Sequence, residues 1–310
     1  MQPPADKQTL TPPLLSIFIL SAVALAYEVL LIRLFSIVHW HHFAFMVISI
    51  ALLGYGVSGS FITVLRRQLL QNYKLVFLLN ILLFALCSIL CFIIVQRLPF
   101  NTLEILWDSA QWQRLLLSYL LLSLPFFFVA NAIALTLMRF HRQIAQVYGI
   151  DLIGAGIGAL SIMLLLQVLS ADTVLRTLSI SALIAAYFSL SGFSSRQKKS
   201  ATAVLMICLL AVIMTPQKWI DLRLSEYKGL TQTLLIKDTE LLSTHTSPIA
   251  QQDVVQSPFV PFRYAPGLSL RSLAAPPEQL AVFIDGDAMT AIDHVSTARD
   301  LDYHDYMSTA

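Results

Sequence analysis

The chain has 310 residues, of which 57% are hydrophobic and only 12% charged, with a formal net charge of +2. Soluble domains carry roughly 25% charged residues, so a wholly water-soluble fold is excluded. The balance also hides two opposed parts: 13 Lys/Arg against 6 Asp/Glu up to Met214 (net +7), then 7 against 12 from Thr215 (net −5). The basic residues sit in short breaks between apolar runs, so they form no nucleic-acid footprint.

A membrane span needs about 20 mostly apolar residues. Seven stretches qualify: Leu14–Val38, Phe43–Leu65, Leu75–Val95, Leu115–Met138, Val147–Leu169, Val174–Leu190 and Ala201–Thr215. The last is the shortest, and an interfacial or re-entrant piece there would leave six. Ala24-Leu25-Ala26 offers a cleavage-like pattern, but the apolar run continues past it and the leader holds one lysine, which speaks against a signal peptide. The fold class expected is an α-helical membrane bundle over residues 14–215, after a short tail at 1–13, followed by a small β-rich domain over 216–310.

The basic breaks alternate along the chain: Arg66, Arg67 and Lys74, then Arg139 and Arg142, then Arg196, Lys198 and Lys199. The positive-inside rule puts all three in the cytoplasm together with the N-terminus. A bacterial-type plasma membrane is the expected location. If the seventh run crosses, the acidic tail lies on the other side; if it does not, the tail is cytoplasmic.

Charges inside spans are costly and therefore informative. Glu28 and Arg33 lie five apart in the first span, and Asp151 opens the fifth. They read as a polar site or ion path, or as ion pairs that fix packing. Asn80 and Asn131 read as interhelical hydrogen-bonding residues. Gly54-Tyr55-Gly56-Val57-Ser58-Gly59 matches G-x-G-x-x-G, but a dinucleotide loop needs a strand before it and a helix after it. Embedded in a span, these glycines read as helix-packing positions, as do Gly154 and Gly158 in a G-x-x-x-G pattern. Pro125 predicts a kink in the fourth span. Trp107 and Trp112 suit the water–lipid boundary. His39, His41 and His42 surround Trp40 with no carboxylate nearby in sequence, which argues against a metal site. Cys87, Cys91 and Cys208 read as small apolar packing residues.

The tail alternates like strands over Thr231–Lys237, Glu240–Thr246 and Gln251–Gln256, and Gln279–Ile284 forms a short apolar run closed by Asp285-Gly286. Asp285-Gly286-Asp287 and the stretch Asp300 to Asp305 gather carboxylates around Tyr303 and His304, a composition that suits a cationic amine ligand and lacks the spacing of a calcium loop.

Several of these stretches together resemble a family of multi-pass membrane proteins that carry a spermidine synthase-like domain. The resemblance rests on Tyr27-Glu28 with Arg33, the Gly54-to-Gly59 glycines and Tyr148 through Asp151 to Gly154. In the tail it rests on Glu226-Tyr227-Lys228-Gly229-Leu230, on Asp253 to Pro258 and on Phe283-Ile284-Asp285-Gly286-Asp287. It implies helical spans, then a small β-domain able to self-associate into a homo-oligomer, then a Rossmann-like aminopropyltransferase or methyltransferase domain. By that resemblance Asp285, Tyr303 and His304 lie on the side of a polyamine-type substrate. Met289 stands where the soluble enzymes carry a glutamine that holds the nucleoside. The chain stops at Ala310, where the first Rossmann strand is expected. An S-adenosylmethionine-type nucleotide is therefore expected to belong to a missing domain, and this chain is expected to be a truncated, non-catalytic part of its parent transferase. The other readings open at this stage are a transporter or channel for a small cationic solute, and a membrane anchor.

Overall fold

The computed structural model describes residues 11–39, 41–100 and 104–308, the side chains of 41–44 excepted. Among the described residues seven helices are long and apolar enough to cross a membrane. They are α1 Leu14–Val38, α2 His41–Gln71, α3 Tyr73–Val95, α4 Ala110–Arg139, α5 Ile144–Val168, α6 Ala171–Ser189 and α7 Ser195–Met214. In lipid every backbone N–H and C=O must bond within its own segment, and a helix achieves this. The least secure of the seven sequence runs forms a complete 20-residue helix, α7. α4 continues through Pro125 as one helix.

α1 is the central element and packs against α2, α4, α5 and α6. Tyr27 on α1 is fully buried. Its ring meets Phe84 of α3 edge-on at 5.8 Å and Phe126 of α4 at 5.5 Å. Because lipid is as apolar as leucine, close packing and polar contacts hold such helices together. Ser88–Ser179 at 2.8 Å joins α3 to α6, Ser58–Asn131 at 2.9 Å joins α2 to α4, and Tyr73–Thr136 at 3.0 Å joins α3 to α4. Asn131 thus bonds between helices as expected. Asn80 does not: its amide donates to Val76 O at 2.7 Å within its own helix.

The glycines divide. A Cβ on Gly154 or Gly158 would run into the α1 backbone at Phe18 O or Ala22 O, and one on Gly54 would lie 2.6 Å from Ser123 O of α4. These three permit close helix approach. Gly56 and Gly59 face open space, so packing accounts for only the first glycine of the G-x-G-x-x-G stretch. Cys91 and Cys208 are buried and Cys87 half-buried, all three as free thiols.

After α7 come two short helices, α8 Gln217–Ile220 and α9 Gly229–Leu234, and four strands: β1 Glu240–Thr246, β2 Gln251–Gln256, β3 Gln279–Ile284 and β4 Ala288–Asp293. The sheet is antiparallel in the order β1-β2-β3-β4. Thr231–Lys237 is therefore not a strand. Of its surroundings only Leu230 is buried, while Leu235 is 75% exposed, so no alternating face exists for a sheet to cover. β4 is the strand that the alternation did not single out. It follows from the turn at Asp285 (φ 51°) and Gly286 (φ 72°), whose left-handed backbone suits a tight hairpin. The tail core is small: Leu230, Val255, Ala281 and Phe283, with Leu224, Phe262 and Met289 against them. Met289 is thus a packing residue here.

The tail docks on the C-terminal end of α1, away from the basic breaks. A helix ends with four carbonyls lacking intrahelical partners. Here the tail supplies donors: Lys228 Nζ gives to Ser36 O (3.0 Å) and Ile37 O (2.6 Å), and Ser225 N to Val38 O (3.1 Å). A lysine also suits the negative end of the helix dipole.

Candidate functional site

The polar residues singled out in the sequence fall into three places. The first is the junction of bundle and tail. Arg33 does not pair with Glu28. Its guanidinium grips Asp285 through Nη1 and Nη2, at 2.8 and 2.7 Å, and Ser36 Oγ and the Gln251 N–H complete the carboxylate's partners. Lys228, 1% exposed, also donates to Asp285 O. Burial raises the Asp285 carboxyl, but Arg33, the Gln251 N–H and Ser36 outweigh it and hold it below the usual carboxylate range. Burial brings Lys228 down to about 8, with Arg33 adding to the effect and Asp285, Asp287 and Asp253 opposing it. Burial, and then Lys228, bring His39 down to about 4, so its imidazole is neutral at physiological pH. Through Arg33 and Ser36 on one side and the Gln251 N–H on the other, Asp285 ties the end of α1 to the tail.

The second place lies within the bundle. Asp151 of α5 accepts a hydrogen bond from Ser21 of α1. Glu28 is half-buried and has no hydrogen bond or ion pair among the described residues. Tyr55 of α2 lies within electrostatic reach of both carboxylates. Arg33 belongs to the junction, so Glu28, Arg33 and Asp151 do not form one cluster.

The third place is a concavity of about 310 Å³ on the tail, lined by Tyr264, Gln279, Thr290, Asp293, Tyr303 and His304 among others. β4 carries Asp293 at its far end, across the strand from Asp285, and the 3-10 helix Ala298–Tyr306 returns Tyr303 and His304 over it. That helix starts at a capping box in which Asp300 accepts from Ser296 N (2.8 Å) and Thr297 N (2.7 Å). The Asp300 carboxylate is thereby spent on the cap. Asp293 accepts from Tyr303 OH at 2.6 Å and Gln279 Nε2 at 2.8 Å, with His304 Nε2 at 3.4 Å. Gln279 is itself fixed by a two-way bond to the Tyr264 backbone, at 2.7 and 3.0 Å. Burial raises Asp293 slightly, and the bonds from Tyr303, Gln279 and His304 more than reverse this. Burial and then the Asp293 bond push Tyr303 up to about 12, so it stays a neutral donor.

The structure therefore brings Tyr303 and His304 together and leaves Asp285 elsewhere. The carboxylate they share, Asp293, carried no signal beyond its place at the end of an alternating run, and Gln279 none beyond opening an apolar one. Among the described residues no group of His, Cys, Asp and Glu has the makings of a metal site. The His41 and His42 side chains and Trp40 lie outside the described residues. The G-x-G-x-x-G stretch offers no cradle for a nucleotide of the S-adenosylmethionine type. It lies mid-helix in α2, where the backbone N–H groups are already bonded along the helix. No strand–glycine loop–helix unit occurs among the described residues.

Compared with known proteins, the chain matches no family model, no curated sequence and no solved structure.

Proposed function

We propose that the tail concavity binds a cationic, polyamine-type amine, and that the chain is the membrane-embedded, amine-binding part of a spermidine synthase-like transferase. The observation that carries this reading is Asp293. It is an ionised carboxylate at the floor of a cavity of about 310 Å³, held in place by Tyr303 and Gln279. A fixed carboxylate with spare lone pairs accepts from an ammonium group, and the Tyr264 and Tyr303 rings add apolar and cation–π surface for its methylenes. His304 stands at the rim, its side chain 51% exposed and its Nε2 3.4 Å from the same carboxylate, and adds a polar ring to the pocket. The resemblance noted above points the same way for Tyr303 and His304. The transfer step itself belongs to no residue described here.

The test is calorimetric titration of the detergent-solubilised chain with spermidine. Asp293→Asn weakens binding about tenfold or more, the scale of one lost charge-assisted hydrogen bond, while Asp302→Asn, on the exposed face, leaves it unchanged. Equal affinities in the wild type and Asp293→Asn would remove the reading.

One observation favours a second reading, a path for a small cation through the bundle. Glu28 and Asp151 both lie within electrostatic reach of Tyr55, and the one arginine of α1 is taken by Asp285. Half-buried carboxylates inside spans, with no basic partner among the described residues, are a mark of transport sites. Amine flux in vesicles that is the same for Glu28→Gln as for the wild type would eliminate it.

A further inference from the structure

A second cavity, of about 460 Å³, lies where the bundle meets the tail, and it is separate from the amine pocket. Its walls come from the end of α1, residues 96–100 and Glu104 between α3 and α4, the first turns of α4 and the segment 223–227. Three guanidinium groups converge on it: Arg97, Arg114 and Arg223. None forms an ion pair among the described residues. Arg97 stacks 5.3 Å over the Trp219 ring, Arg114 gives one bond to Pro99 O at 2.7 Å, and the Arg223 side chain is exposed with no partner among the described residues. Two carboxylates line the same space. Glu104 already accepts from Gln111 at 3.1 Å, and Glu226 sits on the exposed rim. The lining remains net positive, with His39 neutral.

Position supplies the second half of the argument. α3 ends at Val95 and α4 begins at Ala110, so the cavity opens just past the apolar spans. Trp107, Trp112 and Trp219 stand around this end at 80%, 58% and 49% exposure, the placement of an interfacial aromatic belt. Apolar side chains line it too: Val38, Leu98, Phe100 and Leu224. Guanidinium forks match the geometry of phosphate oxygens. We propose that this cavity seats a phosphate ester, with the phosphodiester headgroup of a bilayer phospholipid as its source, its acyl chains leaving along these apolar side chains toward the membrane and any headgroup amine meeting Glu226.

Native mass spectrometry of the full chain released from detergent tests this, with three probes: phosphatidylglycerol, the phosphate-free diacylglycerol, and soluble glycerol 3-phosphate. Phosphatidylglycerol is retained, diacylglycerol is not, and Arg97→Gln with Arg223→Gln lowers retention about tenfold. Arg66→Gln with Arg67→Gln, at the opposite end of the bundle, changes nothing. Retention of phosphatidylglycerol alone assigns the lipid source, and retention of glycerol 3-phosphate as well assigns a soluble phosphate ester to the same groups. Equal retention of diacylglycerol, no retention of either phosphate, or unchanged retention in the arginine double variant overturns the proposal. Should the double variant unfold, Arg223→Gln alone, an exposed side chain, keeps the test: it lowers retention about threefold, and an unchanged value has the same overturning force.

Discussion

Arg33 shows how one side chain changes meaning with its partner. Five residues from Glu28 in a helix, it reads as half of an intramembrane pair. In the fold it sits near the end of α1 and reaches out to the hairpin turn at Asp285, with 7% of its side chain exposed against 21% for its partner. A buried pair adds little over an apolar replacement, but losing one member strands a charge. Arg33→Leu therefore destabilises the docked tail by about 3–5 kcal/mol. The loss is read as earlier chemical unfolding and faster proteolysis of residues after Thr215. Adding Asp285→Asn restores part of the loss, because no stranded carboxylate remains. Unfolding of Arg33→Leu at the wild-type denaturant concentration would show the pair to be decorative.

At the scale of elements, the helices meet through small residues and not through a hydrophobic drive. α5 presents Gly154 and Gly158 to the α1 backbone and buries Val147, Ile162 and Leu166 besides. A side chain at Gly158 has nowhere to go, because the atom in the way is a main-chain carbonyl. Gly158→Leu forces α1 and α5 apart and costs about 1–3 kcal/mol or more. Gly156→Leu, on the open face of the same helix, is close to neutral. Thermal unfolding of the two variants in the same detergent separates them, and equal melting points would refute the packing role. In the tail, the hairpin β3–β4 depends in the same way on local backbone: Asp285 and Gly286 take the left-handed turn that puts Asp293 opposite Gln279.

Over the whole molecule, seven crossings carry the chain from the basic end of the bundle to the end where α1 finishes, and the tail attaches there. Arg176 Nη2 bonds Thr215 O at 2.8 Å, which ties the exit of α7 to the start of α6 at that same end. If the positive breaks are retained in the cytoplasm, as the positive-inside rule expects, the sheet, its concavity and the cavity at the bundle–tail junction face the opposite side. In a background free of the three native cysteines, Leu273→Cys is labelled by a membrane-impermeant maleimide on intact cells, and Lys198→Cys only after permeabilisation. Leu273 is fully exposed, so access is not limited by the fold. The reverse labelling pattern would invert the topology.

Local chemistry along the chain was enough to determine the seven helices, three of the four strands and the boundary near Pro216. Span length, period-two alternation and the Asp-Gly turn are properties of neighbours in sequence. The same holds for Gly154 and Gly158, since four-residue spacing puts both on one helix face. Which polar groups meet was decided only by tertiary structure. Asp285 and Arg33 lie 252 positions apart and Lys228 lies 191 from the carbonyl it caps, and no local pattern encodes a distance of that kind. Asp293 shares a pocket with Tyr303 and His304 because a nine-residue 3-10 helix folds back over β4. The three arginines of the boundary cavity, far apart in sequence, converge because a helix end, a connection and the tail close around one space.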